Sequence, residues 1–221
     1  MPVNLNLYKT HPWLTKFPIF KDSKYLIIGT HPPMPYCGKL EFYYGNMNEF
    51  WRFLDQVYPG FKLYSNGCPE INDILSFLKK IKISITDIVN VTHVEKFSTD
   101  KEMGKIQPED LNTELFKWLK DSCVETIYFT SFGGTNSAKN LFKKWYRSQF
   151  GKVCKLSSEH ENVVEMLGRQ IRIIDLFSPS PTAKRSSPRI REYKDWLLNG
   201  TGNNNYDDFR IYWYKKYLPK L

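Results

Sequence analysis

Short apolar runs alternate with amphipathic segments along this 221-residue chain. Four of the runs are typical of buried strands, and they span residues 24–29, 81–91, 126–132 and 170–177. Between and after them, apolar residues recur every three or four positions, which is the spacing of a helix with one buried face. This spacing predicts helices over residues 46–58, 69–80, 108–121 and 135–146, another that begins at Pro188, and an aromatic-rich helix after the polar residues 199–205.

Strands that alternate with helices predict an α/β fold built from βαβ units, with helices on both faces of a mostly parallel, four-stranded sheet. The chain shows no internal repeat and no clear linker, so we expect a single domain over residues 1–221. Residues 1–23 would form an N-terminal extension, and a C-terminal helix within 199–221 would pack on the domain. Ligands of such sheets bind beyond the carboxyl ends of the strands, so the segments that follow the strands are the candidate site.

The chain is basic, with 32 Lys and Arg against 23 Asp and Glu and a formal charge of +9. Such a charge favours an acidic partner, most often nucleic acid. Part of it follows a turn rich in Ser and Pro, at Lys184, Arg185, Arg189, Arg191 and Lys194. This segment is either a solvated helix face or an edge that contacts phosphates.

Several protein classes are not expected. No apolar run approaches the roughly 18 residues of a membrane span, and the first residues lack the basic and apolar regions of a signal peptide. The four cysteines are far apart and form no CxxC pair, which argues against a disulfide scaffold, a zinc site or an iron–sulfur site. We expect a cytoplasmic protein that needs no metal or other cofactor and has no membrane partner.

Five segments, in order along the chain, carry a resemblance to a known family. They are residues 29–33 (GTHPP), 43–51 (YYGNMNEFW), 85–89 (ITDIV), 97–100 (FSTD) and 178–181 (SPSP). Together they resemble the uracil-DNA glycosylase superfamily, most closely its mismatch-specific and hypoxanthine-type branches, from about residue 25 to residue 185. The aromatic pair followed by N-x-F-W is the most specific part, whereas SPSP alone would mean little.

The resemblance implies a three-layer α/β/α sandwich and a DNA base-excision repair enzyme. Such an enzyme flips a deaminated base (uracil, hypoxanthine or xanthine) out of the DNA and hydrolyses its N-glycosidic bond. It also implies a protein that is a monomer and whose partner is damaged DNA, duplex or single-stranded. The reaction passes through an oxocarbenium-like sugar and needs a positioned water and stabilisation of the departing base, but no metal.

Three residues are the catalytic candidates that the resemblance implies. Asn48 occupies the Asn of N-x-F-W, where an amide can orient a water without acting as a strong base. Asp87 lies where relatives carry Asn or Asp near the base edge. His31 replaces the water-activating Asn or Asp, and as a hypothesis it could donate to the leaving base or hold the water. Each also has a structural alternative: Asn48 as a helix cap, Asp87 as a turn residue and His31 as a packed histidine.

The same comparison assigns binding roles. The base would lie against Gly29, Thr30 and Pro32, with Tyr43 or Tyr44 as the stacking face. Adjacent side chains of an extended segment point to opposite sides, so we do not expect both tyrosines to be buried. The DNA-binding candidates are Ser178, Ser180, Pro181, Thr182, Lys184, Arg185 and Arg189.

Two other functions stay open. His31 and Ser178 both stand at positions where many relatives carry a different catalytic residue, which would suit a catalytically inactive nucleic-acid-binding protein on the same fold. A nucleoside-processing hydrolase on this scaffold is the third interpretation, and it leaves the positive charge without a role.

Overall fold

A computed structural model describes residues 9–45, 49–63, 69–200 and 205–220 of the chain. The chain forms two compact units. Unit 1 comprises Met1–Cys37 and Leu78–Asp175, and unit 2 comprises Gly38–Phe77 and Leu176–Leu221.

The strands all belong to unit 1. They are β1 (Lys9–Thr10), β2 (Tyr25–Gly29), β3 (Ile83–Asp87), β4 (Val91–Thr92), β5 (Thr126–Phe129), β6 (Glu161–Met166) and β7 (Arg169–Asp175). The helices are α1 (Phe50–Val57), α2 (Ile71–Lys80), α3 (Glu114–Asp121), α4 (Ala138–Phe150), α5 (Arg191–Leu198) and α6 (Tyr206–Tyr217). The tighter 3₁₀ segments are Pro59–Phe61, Asp100–Met103, Pro108–Asp110 and Pro181–Arg189.

The main sheet has five strands in the order β3-β2-β5-β7-β6. All neighbouring strands run parallel except β6 and β7, which are antiparallel, and β1 and β4 pair in a separate antiparallel ribbon. The α/β class and the mostly parallel sheet of the predicted sandwich are therefore confirmed. The predicted number of four strands is wrong, because β6 adds an edge strand.

The extra strand depends on an unusual hairpin turn. β6 and β7 are joined by Leu167 and Gly168, whose φ angles are +54° and +71°. Two positive φ angles are the mark of a type I′ turn, which matches the twist of the strands it joins. Such turns are usually recognised by Asn-Gly or Asp-Gly, whereas Leu rarely adopts a positive φ. The Leu-Gly pair therefore gave no signal that would predict the hairpin.

Three neighbouring strands, β3, β2 and β5, are buried on both faces, which explains their apolar runs. Every residue of β3 and β5 is buried, as are Leu26, Ile27 and Ile28 of β2. The core cluster of unit 1 includes side chains from α3 and α4, and the Trp145 indole N–H donates to the Asn112 carbonyl at 3.1 Å.

Two predicted helices differ from the structure. The segment predicted as one helix over residues 108–121 is a 3₁₀ turn, an extended Leu111 that bridges to Val89, and then α3. Pro188 lies inside the 3₁₀ segment Pro181–Arg189, and α5 begins only at Arg191. The predicted start of the first helix, at residues 46–48, lies outside the described residues.

Unit 2 is built around aromatic side chains of α1, α5 and α6. The Tyr214 ring lies 6.3 Å from Phe50 and 5.8 Å from Phe53, measured between ring centroids. Arg210 is fully buried among them, with its guanidinium 4.7 Å from the centre of the Phe53 ring and 4.9 Å from that of Tyr206.

Candidate functional site

Polar side chains gather in unit 1 at the carboxyl ends of β2 and β3. Gly29 and Asp87 are paired in register, so Thr30 and His31 continue directly beyond the last pair of the two strands. The loop after His31 is fastened by two backbone hydrogen bonds of 2.9 Å between Met34 and Phe97. We call His11, Thr30, His31, Asp87 and Asp100 the rim cluster; its members are linked as described below.

His11 orients Asp87. The backbone N–H of Trp13 donates to His11 Nδ1 at 3.1 Å, so this nitrogen carries a lone pair and the proton lies on Nε2. That Nε2–H donates to Asp87 Oδ2 at 2.8 Å, with both side chains buried. The arrangement holds a carboxylate in one orientation at a strand end.

His31 is the second histidine of the rim cluster, and its ring centre lies 4.9 Å from that of His11. A carbonyl oxygen can only accept, so the 2.7 Å contact between His31 Nδ1 and the Pro32 carbonyl places the proton on Nδ1. Nε2 therefore carries a lone pair, and it is buried without a hydrogen-bond partner among the described residues. Burial, with the nearby His11, lowers the pKa of His31 to about 4. This neutral ring can accept a hydrogen bond at Nε2 but cannot donate one there.

Asp100 is the group of the rim cluster best suited to hold a proton. Its Oδ1 accepts from the Thr30 hydroxyl at 2.6 Å, and its backbone carbonyl accepts from the Asn136 amide at 3.0 Å. Burial raises the pKa of Asp100, and the charge of Asp87 adds to the rise, while the hydroxyls of Thr30 and Ser131 oppose it. Two carboxyls with different environments are the usual arrangement for separate acid and base roles.

A buried ion pair lies at the carboxyl end of β7. Lys139 Nζ donates to Asp175 Oδ2 at 2.7 Å and to the carbonyls of Ser157 and Glu159 at 3.2 Å. Burial raises the pKa of Asp175 despite Lys139. All three ammonium protons of Lys139 have acceptors, so this lysine fastens the 157–159 loop and has no donor left for a ligand.

The predicted base-binding residues fall into two sets. In unit 1, Gly29 and Pro32 are buried, and the Thr30 hydroxyl is committed to Asp100. In unit 2, Tyr43 is only 1% exposed, whereas Tyr44 is half-buried and stacks on Phe50 with ring centres 4.1 Å apart. The two tyrosines are thus not both buried, but the reason differs from the expected one, because the segment is a turn with Tyr44 at φ +57° and not an extended strand. Asn48 lies outside the described residues.

Two motifs of the resemblance meet within unit 2. The backbone N–H of Glu49, just before α1, donates to the Pro179 carbonyl at 3.2 Å. The SPSP loop is held from the other side by Arg210, which donates to the carbonyls of Ser178 at 2.5 Å and Ser180 at 3.1 Å. Ser178 and Ser180 therefore lie in a loop whose backbone is fixed by a buried guanidinium.

Asp207 connects this loop to the basic segment. Its carboxylate accepts from Arg210, from Lys184 Nζ at 2.6 Å and from Arg52 Nη2 at 3.2 Å. Burial by itself would raise the pKa of Asp207, but the hydrogen bonds from Lys184 and Arg210 outweigh it and lower the pKa. Lys184 is thus already engaged in an ion pair within the protein, although it shares the single carboxylate of Asp207 with Arg210 and Arg52.

The remaining DNA-binding candidates are exposed. Pro181, Thr182, Arg185 and Arg189 all lie on the surface of the 3₁₀ segment, and the Ser180 and Thr182 hydroxyls are 2.8 Å apart. Within the part of the chain that the structure describes, Arg185 and Arg189 make no ion pair. They are the cations of the predicted set that are free to contact a phosphate.

Sequence reasoning did not single out four residues that organise these sites: His11, Asp100, Asp207 and Arg210. His11 is 76 positions from Asp87, and Arg210 is 32 positions from Ser178. The FSTD segment that carries part of the resemblance ends on Asp100, which is the one signal that could have drawn attention to it. Asp207 and Arg210 are i,i+3 neighbours on α6, but the pairs of His11 with Asp87 and of Arg210 with Ser178 form only through tertiary folding.

Three further observations concern metal ligands, membrane spans and similarity to known proteins. In residues 9–45, 49–63, 69–200 and 205–220 no cluster of three or more His, Cys, Asp or Glu could hold a metal ion. None of the helices in these ranges is long and apolar enough to cross a membrane. In comparisons of the whole sequence, no protein-family model and no curated protein matches this chain.

Proposed function

We propose that this protein is a DNA glycosylase that hydrolyses the N-glycosidic bond of a flipped, deaminated base. The observation that supports this most is the rim cluster, in which Asp87 is oriented by His11 while burial favours the protonated form of Asp100. A charged and a protonable carboxyl at the ligand-binding edge of a parallel sheet suit the hydrolysis of a glycosidic bond.

The chemistry divides between the two carboxyls. As the bond to the base breaks, the sugar becomes oxocarbenium-like and positive, and the fixed charge of Asp87 stabilises it and takes the proton of the attacking water. The departing base carries negative charge, and the protonated form of Asp100 supplies a proton to it. This division avoids placing a charged carboxylate against an anionic leaving group.

Unit 2 adds separate support for a nucleic-acid partner. Arg185 and Arg189 are exposed and unpaired within the described residues, and Tyr44 offers a half-buried aromatic ring. Free arginines bind phosphates, and aromatic rings stack on bases, so these residues suit DNA. We place the phosphate contacts on Arg185 and Arg189 rather than on Lys184.

The test uses oligonucleotides, duplex and single-stranded, that carry one uracil, hypoxanthine or xanthine, incubated with a chelator and then cleaved by alkali at abasic sites. We expect abasic product from the unaltered protein and at least a hundredfold slower excision by Asp87→Asn. The matched control is Asp110→Asn, because Asp110 is also buried and also 2.8 Å from a histidine Nε2, that of His93. Asp110→Asn should keep excision within about threefold.

Two outcomes would contradict the proposal. Equal excision by Asp87→Asn and the unaltered protein would remove the role of the rim cluster. Salt-dependent binding with no abasic product on any of the substrates would favour the catalytically inactive nucleic-acid-binding protein, for which the residues at His31 and Ser178 argue.

A further inference from the structure

His31 has a hydrogen-bonding capacity that the protein itself does not use. The Nδ1–H of its ring is committed to the Pro32 carbonyl at 2.7 Å. The opposite nitrogen, Nε2, has no hydrogen-bond partner among the described residues. This atom is buried, and the residue as a whole is only 7% exposed. Buried polar atoms are nearly always satisfied in native structures, so Nε2 is suited to accept a hydrogen bond from a bound molecule.

The partner of His31 Nε2 must be a hydrogen-bond donor. Because the proton is fixed on Nδ1, Nε2 offers only a lone pair. The rings of His11 and Phe97 pack against the His31 ring, with centres 4.9 and 5.5 Å away, and oppose a flip of that ring that would exchange the two nitrogens. Burial keeps the ring neutral near pH 7, so Nε2 does not gain a proton there. A ligand that presents a ring nitrogen with a lone pair would repel Nε2, whereas one with a ring N–H would bind to it.

Deamination makes this exchange on the pairing edge of a base. Cytosine and adenine present a ring nitrogen lone pair there, and their products, uracil and hypoxanthine, present a ring N–H beside a carbonyl. We infer that His31 Nε2 accepts this ring N–H and so distinguishes a deaminated base from its parent. The inference rests on the proposed function, and it makes His31 a specificity-determining residue whereas Asp87 and Asp100 act on the bond.

The inference also states what His31 does not do. Thymine and guanine carry a ring N–H at the same edge, so His31 alone does not exclude them. Xanthine keeps the N–H that guanine already has. Discrimination against these normal bases must come from the size and the other contacts of the pocket, while rejection of cytosine and adenine comes from His31.

The test compares uracil with 3-methyluracil in the same oligonucleotide. The methyl group replaces the hydrogen of the N3–H that would donate to Nε2. It leaves N1, the atom bonded to the sugar, unchanged. We expect the unaltered protein to prefer uracil at least a hundredfold in kcat/KM. In His31→Ala, which removes the acceptor and makes room for the methyl group, this preference should fall at least tenfold.

Two further variants protect the result. His31→Gln places an amide near the position of Nε2; since an amide can also donate, we expect uracil excision within tenfold of the unaltered protein and a smaller discrimination against cytosine. His93→Ala is the control histidine variant, because the Nε2 of His93 is already paired with the carboxylate of Asp110, and His93 is 40% exposed and lies outside the rim cluster. It should keep the full uracil preference. Circular dichroism verifies that each variant is folded.

If His31 had only a structural role, its replacement would slow the excision of uracil and of 3-methyluracil equally. An unchanged preference for uracil in both folded His31 variants would therefore overturn the inference, while excision of uracil would still support the proposed function. An internal water permanently bound to Nε2 would give the same unchanged preference. If the unaltered protein neither cleaves nor binds any of these oligonucleotides, the proposed function itself fails, and the inference falls with it.

Discussion

Replacing Arg210 with Met should destabilise the protein more than any exposed substitution. The side chain of Arg210 is fully buried, and its guanidinium bonds two carbonyls of the SPSP loop and the carboxylate of Asp207. Met fills the volume of the aliphatic stem but offers no donor. The carbonyls of Ser178 and Ser180 would then lose their partner, and the aromatic rings of Phe53 and Tyr206 would lose the cation above them.

The expected loss follows from these contacts. Each carbonyl left without a donor costs about 1–2 kcal/mol, and the lost cation–π contacts add about 1 kcal/mol. Asp207 keeps Lys184 and Arg52 as partners, so its charge is not left unpaired and adds little. The sum, about 3–5 kcal/mol, is a large part of the 5–15 kcal/mol that is typical of the free energy of unfolding.

Urea unfolding followed by tryptophan fluorescence and by circular dichroism measures this loss. The control is Arg191→Met, since Arg191 is 88% exposed and its contact with Asp195 is 3.7 Å long; it should change the free energy of unfolding by no more than about 0.5 kcal/mol. Arg210→Lys keeps the charge but not the forked donor and should lie between the two. A loss below about 1 kcal/mol in Arg210→Met would refute the assignment of Arg210 as the group that holds the loop.

Three other predictions concern charge, pH and backbone strain. If DNA binds as proposed, replacing Arg185 and Arg189 together by Ala should reduce the slope of log affinity against log salt by about 2. Lys184→Ala should change the slope by well under 1, because the ammonium of Lys184 is held by Asp207 and not by a phosphate; equal slopes for all variants would contradict this. Burial lowers the pKa of His31 from 6.5 to about 4. Between these pH values the unfolded chain binds a proton that the folded protein does not, so acidification through this range should lower the free energy of unfolding by about 3 kcal/mol. His31→Leu should abolish this loss in urea titrations at pH 7 and pH 4, and the idea is wrong if its pH dependence equals that of the parent. Lys82 is exposed with φ +55°, so Lys82→Asn should raise the free energy of unfolding by about 0.5 kcal/mol, and a decrease would count against strain at this position.

Much of the fold was predictable because it depends on local patterns. The apolar runs around Ile27, Ile85 and Ile127 become parallel strands buried on both faces, as continuous runs predict. The helix boundaries were less predictable. Pro188 is favourable at a helix start, yet the chain passes through it in a 3₁₀ segment, and Leu111 interrupts a helical pattern because it pairs with Val89.

The candidate site was only partly predictable. The ends of β2 and β3 could be expected to carry ligand-binding groups, and there Gly29 pairs in register with Asp87 while His31 follows two residues beyond Gly29. The state of each group could not be expected, because it depends on distant partners. Trp13 and Pro32 decide which nitrogen of each histidine carries the proton, and His11 reaches Asp87 from 76 positions away.

By itself, the amino-acid sequence determined the alternation of strands and helices, the parallel sheet that this alternation requires, and the positive charge of the segment after the last strand. Periodicity and composition are local properties, so they are written in the chain. The tertiary structure alone decided that Lys184 is ion-paired with Asp207 while Arg185 and Arg189 make no ion pair within the described residues, that burial raises the pKa of Asp100, and that His31 presents an acceptor. Burial and hydrogen bonding set these properties, and both arise only when residues far apart in sequence come within a few ångströms of each other.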